Sequence, residues 1–526
     1  MGARAKGPVA FVEASSRPTT ETPMKAFDRG SLTVCPSTRS STRPLCSRPS
    51  SSGRAHGVVR RVVRGVARAA WSLLPVAALA CSSTPPPASN DPPLGCAAWL
   101  GDQCIGAPTG VLCQSPPCSA DIECQGIVTA DPASLAGALA SAPLGACVVL
   151  ERGSYGAVSL PEGVHLLGEG PDVVSLESLH MGAGVAAGLE VRGGITAEPS
   201  FARSVLAAVR VTGGESYGVL ASGELELYAV EVSGAAGGVG LLPGATATLE
   251  ALWVHDVGGP GVALDCDVDC GSCGSITLAS SRIERATHVG LFGAGAAVTL
   301  ADVEIEETRV DGLEAASGAG VVVTQCSTLD ARRAAISSNA YVGLFVDGSG
   351  AHLGDPSEER GIIIYGNVFG VWLSGVGVAE PAQEVRLEGV AIEGNEGVGL
   401  GIDGASKGII IYGSEIRDTA ARTVPVFGGG AEEVGDGLQS RALSAFVIDG
   451  LVLGGNARRS VLLDGACGEG SSLAHVTLEG GDEALGLLQQ SFDGVGAPAL
   501  GASVPALESS AEALFALNQA PSSVAP

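Results

Sequence analysis

Apolar and polar positions recur in a fixed order over most of this 526-residue chain. Residues 336–348, ISSNAYVGLFVDG, carry Ile336, Asn339, Gly343, Leu344, Val346 and Asp347-Gly348. Residues 392–404, IEGNEGVGLGIDG, repeat every one of these features, and 453–465, LGGNARRSVLLDG, do so with Ser460 in place of the glycine. Looser copies begin at Val211, Val232, Val254, Ile283, Ile305, Ile364 and Leu478, so that starts lie 21 to 31 residues apart with one gap of 61 around Ile416. Within a unit the apolar residues alternate, as at Leu344/Val346 and Val371/Leu373, which is the period of a strand. Short strands divided by glycine or asparagine bends, at about 22 residues a turn, predict a chain wound into a solenoid, each coil stacked on the last at about 4.8 Å. The unit is too short for tetratricopeptide, ankyrin or propeller repeats, and it lacks the leucine framework of a leucine-rich repeat.

This winding assigns a task to each position. Ile283, Ile305, Ile336, Ile364 and Ile392 should form one interior column. Asn339, Asn367 and Asn395 should occupy successive bends, tolerate left-handed φ there and hydrogen-bond from coil to coil. Gly343 should permit the next corner, Leu344 and Val346 should line the interior, and Asp347-Gly348 should end the strand.

The repeat resembles that of the pectin-lyase superfamily, and so does the front of the region. Residues 131–170 hold an amphipathic segment from Pro132 to Ala142, a Gly153-Ser154-Tyr155 turn and a strand ending in LLGEG. In that family such a helix caps the open end of the solenoid, where core and strand edges would otherwise be exposed. The resemblance implies an all-β fold, a right-handed parallel β-helix of about a dozen coils over 131–497 with an N-terminal capping helix. It implies no single function, because the fold hosts lyases, hydrolases, epimerases, adhesins and scaffolds. The tail, 498–526, is expected to be a frayed end or a short capping helix from Pro505 to Gln519.

Composition changes the picture mainly at the start. Residues 1–80 hold 13 Lys+Arg against 3 Asp+Glu, whereas the rest holds 17 against 53. The acidic remainder should repel nucleic acid and anionic lipid. Residues 1–57, rich in Ser, Arg, Pro and Thr, are expected to be a disordered leader or an over-extended gene start. Residues 58–80 have a basic region at Arg60, Arg61, Arg64 and Arg68, then an apolar run too short to span a bilayer, the layout of a signal peptide. Ala78-Leu79-Ala80-Cys81 resembles a bacterial lipobox, which implies a lipid on Cys81; plain secretion is the other reading. Residues 81–95 then form a Pro/Ser tether. Since Ser82 is not the aspartate associated with inner-membrane retention, the resemblance implies an exported protein anchored in the outer membrane, facing the periplasm or the cell surface.

Cysteine usage fits export. Cys96, Cys104, Cys113, Cys118 and Cys124 crowd a loop-rich segment, 96–130, and Cys147 follows. Disulfides are the expected support; a zinc cluster is the rival, but paired C-x₂-C spacing is missing. Cys266, Cys270 and Cys273 suggest a second pinned insertion. Among them Asp265, Asp267 and Asp269 alternate like the first ligands of a calcium loop, although Cys270 stands where the glycine belongs and Ile276 where the last acid belongs. Calcium is thus possible at this loop, and no cofactor is required.

Catalytic candidates are few. Arg360 in RGIIIYG and Lys407 in KGIIIYG look equivalent, with Glu388 between them, so the three would stack on successive coils as a lyase-like site or a salt-bridge ladder. His255 and His288 fall at different offsets and read as surface or corner residues. The Asp pairs, Gly-His-Gly and Arg-x-Lys of the family's hydrolases are missing. The expected function is a non-catalytic surface lipoprotein presenting a rigid face to polysaccharide or envelope; the alternative is a polysaccharide lyase, hydrolase or epimerase. The address is testable at once. A tritiated fatty acid should label the wild-type protein in its host and leave Cys81→Ala unlabelled; equal labelling refutes the anchor.

Overall fold

The computed structural model describes residues 96–100 and 103–106, and then 120–510 with gaps at 199–201, 267–272, 311–317, 356–360, 379–381, 405, 426–430, 442–443, 465–466, 480–485, 491–497 and 506. The expected leader, signal peptide and tether, with Cys81, lie outside the described residues, as do Cys113, Cys118 and the end of the tail.

The chain is a right-handed parallel β-helix. Each coil contributes a strand to each of three sheets in turn. Residues 328–331 lie in the first sheet, 334–337 in the second, and Val342–Asp347 in the third. The third sheet alone stacks fifteen strands through fourteen parallel pairings, from 158–160 to Leu507–Ser510, so the solenoid has more coils than the expected dozen. The extra coils sit at the ends. Gly126–Ala130, reckoned from sequence to the Cys-rich segment, is the first strand of the first sheet. Leu507–Ser510 is a strand where a frayed end or a short capping helix was expected, because it pairs with Leu487–Gln490 and so continues the stack.

The capping helix spans Leu135–Ser141 and buries Leu135 and Leu139. Asp131 Oδ1 closes the turn that leads into it, accepting from the N–H groups of Ala133 (3.1 Å) and Ser134 (2.7 Å). Gly153-Ser154-Tyr155, expected as a turn, opens the strand Gly153–Leu160. Tyr155 points inward, and its hydroxyl reaches the carbonyl oxygens of Ala130 (3.0 Å) and Glu151 (2.8 Å).

The isoleucine column forms as expected. Ile283, Ile305, Ile336, Ile364 and Ile392 register one above another in the second sheet, all within the core. The asparagine ladder forms beside it. The N–H and Nδ2 of Asn339 both donate to Asn367 Oδ1 at 3.0 Å, and Asn367 donates likewise to Asn395 at 3.0 and 3.1 Å. Thr308 extends the ladder upward, its N–H and hydroxyl donating to Asn339 Oδ1 at 3.2 and 2.9 Å. One detail differs from expectation. The left-handed residue is the one before each asparagine: Ser338 at φ 54°, Gly366 at 68° and Gly394 at 58°. That residue turns the chain, which frees the asparagine to point inward.

The glycine after the bend serves the ladder rather than a corner. A Cβ on Gly343 would lie 2.7 Å from Gly370 O, 2.7 Å from Ile364 Cγ2 and 2.8 Å from Asn367 Nδ2. Backbone, isoleucine and amide of the next coil all occupy its side-chain space.

Over its middle coils the third sheet is buried on both faces. Leu344, Val346, Val371 and Leu373 point into the solenoid. Phe345, Phe369 and Trp372 belong to a separate outer cluster that includes Val424 and Val434 of an antiparallel hairpin, Arg422–Pro425 with Ala431–Val434. Trp372 lies across Gly401, where a Cβ would come 2.5 Å from its ring.

The ladder predicts a specific loss. Asn367→Ala strips Asn339 of its buried acceptor and should cost about 2–4 kcal/mol, read from denaturant unfolding and from amide exchange in the flanking coils. A change below about 0.5 kcal/mol would remove the ladder from the stabilising contacts.

Candidate functional site

Alternation along the first-sheet strands decides which side chains face solvent. In Leu329-Asp330-Ala331, Ala351-His352-Leu353 and Val385-Arg386-Leu387 the outer residues are buried in the core and the central one faces out. Register then stacks the central residues: Asp330 pairs with His352, and His352 with Arg386. They line an open groove of about 430 Å³ with Thr299, Gln383 and Glu384.

Glu388, at the end of the strand Val385–Glu388, ties the group together. Its Oε2 lies 3.4 Å from His352 Nε2, and its Oε1 3.5 Å from an Arg386 guanidinium nitrogen. Arg386 also pairs with Glu384, which raises the guanidinium's proton affinity. Asp330 Oδ1 is closed off from solvent yet accepts no hydrogen bond. Arg332 Nε is 3.5 Å from it. The groove thus presents the His352 imidazole, to which Glu388 is bonded, the Arg386 guanidinium, and the Asp330 carboxylate, whose Oδ1 faces Arg332.

Sequence expectations meet this site only at Glu388. Arg360 lies outside the described residues. Lys407 is exposed at a corner, its N–H bonded to Val376 O at 2.7 Å. Glu388 and Lys407 do not stack, and the two IIIYG segments taken as equivalent belong to different sheets. Ile362–Tyr365 pairs within the second sheet, with Val390–Glu393, whereas Ile409–Tyr412 pairs within the first, with Val385–Glu388. Glu388 registers with Tyr412 and not with Lys407. Asp330, His352 and Arg386 were missed, although each is a polar residue between two inward apolar ones at one repeat offset.

The cysteine region is clarified in part. Cys124 bridges to Cys147 and Cys266 to Cys273. Cys326, not among the expected cysteines, is also disulfide-bonded. Cys467 is a free thiol whose pKa burial pushes up to about 11. Cys96 and Cys104 lie on paired antiparallel strands. Asp265 ends the strand Val262–Asp265, while Asp267, Asp269 and Cys270 fall outside the described residues. Among the described residues no group of three or more His, Cys, Asp or Glu side chains is placed to hold a metal, and no helix is long and apolar enough to cross a membrane.

The second sheet carries a denser charge network on its outer face. His255 stacks on Trp253, and its ring nitrogens lie 3.4 Å from Glu231 and 3.1 Å from Asp256. Arg210 and Arg285 complete it through Glu231 and Asp256. Glu231 foremost, and then Asp256, raise the His255 pKa against the effect of burial. Burial raises that of Glu231, but His255 and Arg210 outweigh it and lower the net value. His288, by contrast, takes a left-handed φ of 73° at a corner.

The chain is similar to the A-module of mannuronan C-5 epimerase AlgE6 from Azotobacter vinelandii, at 17% identity and a TM-score of 0.36 over 72% of this chain and 94% of that one. It is also similar to the periplasmic alginate epimerase AlgG, at 10% identity and a TM-score of 0.37 over 68% and 84%. A third similar structure is a mannuronic acid specific polysaccharide family 6 lyase from human gut microbiota, at 12% identity and a TM-score of 0.25 over 70% and 86%. At these values no site residue carries across. No family model matches the chain, and no curated protein does.

The His255 network has a pH signature. A raised folded pKa stabilises fully below the unfolded value of about 6.5 and fades as pH climbs through the folded value. Glu231, with a lowered pKa, contributes above its unfolded value and loses that in acid. His255→Gln should therefore lower Tm more at about pH 5.5 than at about pH 8.5. An equal loss at both would remove the charge contribution.

Proposed function

We propose that this β-helix binds a polysaccharide across the outer face of its first sheet and acts on it at the groove of Asp330, His352, Arg386 and Glu388. The observation that carries this reading is the His352–Glu388 pair beside Arg386 on one outward column of the first sheet, at a groove of about 430 Å³ that His352 and Arg386 line. The His352–Glu388 pair supplies proton transfer to or from a bound sugar, and Arg386 stabilises developing negative charge beside it. Lyase, epimerase and hydrolase chemistries all draw on such groups.

The disulfides support an oxidising, extracytoplasmic setting. We take the protein to be exported, with Cys81 as its lipid anchor at the outer membrane and calcium as an accessory ion. A purely binding role at the cell surface is the second reading, favoured by the openness of the groove and by the Glu384 and Glu388 carboxylates that already engage Arg386.

The test is a calcium-supplemented screen of the mature protein on pectate, alginate, chondroitin and neutral glycans. Unsaturated ends are read by ultraviolet absorbance, new reducing ends by colorimetry, and epimerisation by proton NMR. His352→Ala should lower turnover by about 10²–10⁴-fold. Turnover indifferent to both His352→Ala and Arg386→Ala would sink the catalytic site, and binding without turnover would leave the scaffold reading.

A further inference from the structure

The outer face of the first sheet holds a second groove, of about 550 Å³, five to eight coils before His352. Its walls include Glu123, His165, Arg203, Glu226 and Tyr228. Tyr228 donates its hydroxyl to Glu226 Oε2 at 3.1 Å, and Arg203 pairs with Glu226. Burial, then Glu226, pushes the Tyr228 pKa up to about 12, so the phenol stays protonated. His165 Nδ1 accepts the Val185 N–H at 3.2 Å, which puts the neutral ring's proton on Nε2. Burial lowers the His165 pKa and favours that neutral form.

Register links this groove to the other in an unbroken line. Glu226 pairs with Thr248, Thr248 with Thr277, Thr277 with Thr299, Thr299 with Asp330, and Asp330 with His352. Five strand spacings of about 4.8 Å separate Glu226 from His352, about 24 Å in all. Thr248, Thr277 and Thr299 between them are exposed, and Thr299 already lines the His352 groove. Both grooves hold more carboxylates than guanidiniums, and each arginine is already paired: Arg203 with Glu226, Arg386 with Glu384 and Glu388. Such a surface repels a polyuronate, while its carboxylates, threonines and Tyr228 match sugar hydroxyls.

We propose that the two grooves and the threonine face between them form one track for a single neutral, hydroxyl-rich glycan chain lying along the solenoid axis. The inference rests on the glycan-binding reading of this face and narrows its substrate class. Two grooves joined by one chain act as linked sites, so a polymer reaching both binds far more tightly than a short oligomer held in one.

Affinity electrophoresis of the mature full chain tests it, in gels containing xylan, galactomannan or soluble β-glucan, against gels containing mannuronan or polygalacturonate. At least one neutral polymer should retard the protein. Thr277→Arg, at an exposed mid-track position, should weaken that retardation by about 100-fold while Thr277→Ser keeps it, and Tyr228→Ala should weaken it by about 10-fold. Unchanged circular dichroism confirms that each variant is folded. Retardation by polyuronates alone would overturn the neutral track and leave the polysaccharide reading standing. Retardation by a neutral polymer that Thr277→Arg does not alter would overturn the continuous track. No retardation by any polymer would overturn both.

Discussion

Everything in this molecule depends on how closely one coil can approach the next at the bend between the second and third sheets. Parallel pairing sets a spacing of about 4.8 Å. At that distance a carbonyl, an isoleucine methyl and an asparagine amide of the following coil converge on Gly343, and only a hydrogen side chain leaves room. The asparagines then use the space: each buried amide accepts from the coil before it, so polar backbone at a buried corner is satisfied without water. Where Thr419 replaces asparagine, its hydroxyl is buried without a partner, and the ladder resumes only at Asn456.

Because the bends hold register so tightly, each sheet becomes a ruled surface. A residue's offset within its repeat fixes the column it joins, and that column runs unbroken along the solenoid. The first sheet spends its outer columns on threonine and charge, the second on ion pairs, and the third on aromatic side chains covered in part by the hairpin of Val424 and Val434. Chemistry on such a scaffold is assembled across coils, from residues about 20 to 35 positions apart, rather than within a local motif.

That geometry explains what the sequence revealed. The isoleucine column and the asparagine ladder were legible because each belongs to one repeated motif with one chemical demand. The site was not, because outward positions face no packing constraint and look like arbitrary polar residues between two aliphatic ones. The IIIYG segments show the limit most clearly. Both first and second sheets require two inward aliphatic residues and a left-handed corner, so identical sequences satisfy either, and Gly366 and Gly413 turn both with positive φ. Sheet identity depends on the count of residues since the previous asparagine bend, which the excursions between strands obscure. Cys326 was missed for a simpler reason: a lone cysteine in a strand-rich stretch shows no spacing pattern.

The Cys124–Cys147 bridge gives the solenoid an unequal pair of ends. It fastens the segment entering the first coil to the second strand of the first sheet, beneath the capping helix. At the far end the first sheet finishes on Ala499–Leu500, two exposed residues held by one neighbouring strand. In a stack where each coil is stabilised only by the coils beside it, loosening has a polarity: the free end frays first, and disorder advances toward the clamped end one coil at a time. The groove at His352 lies deeper in the stack than those last coils, so the molecule can fray at its far end and still keep that surface wound.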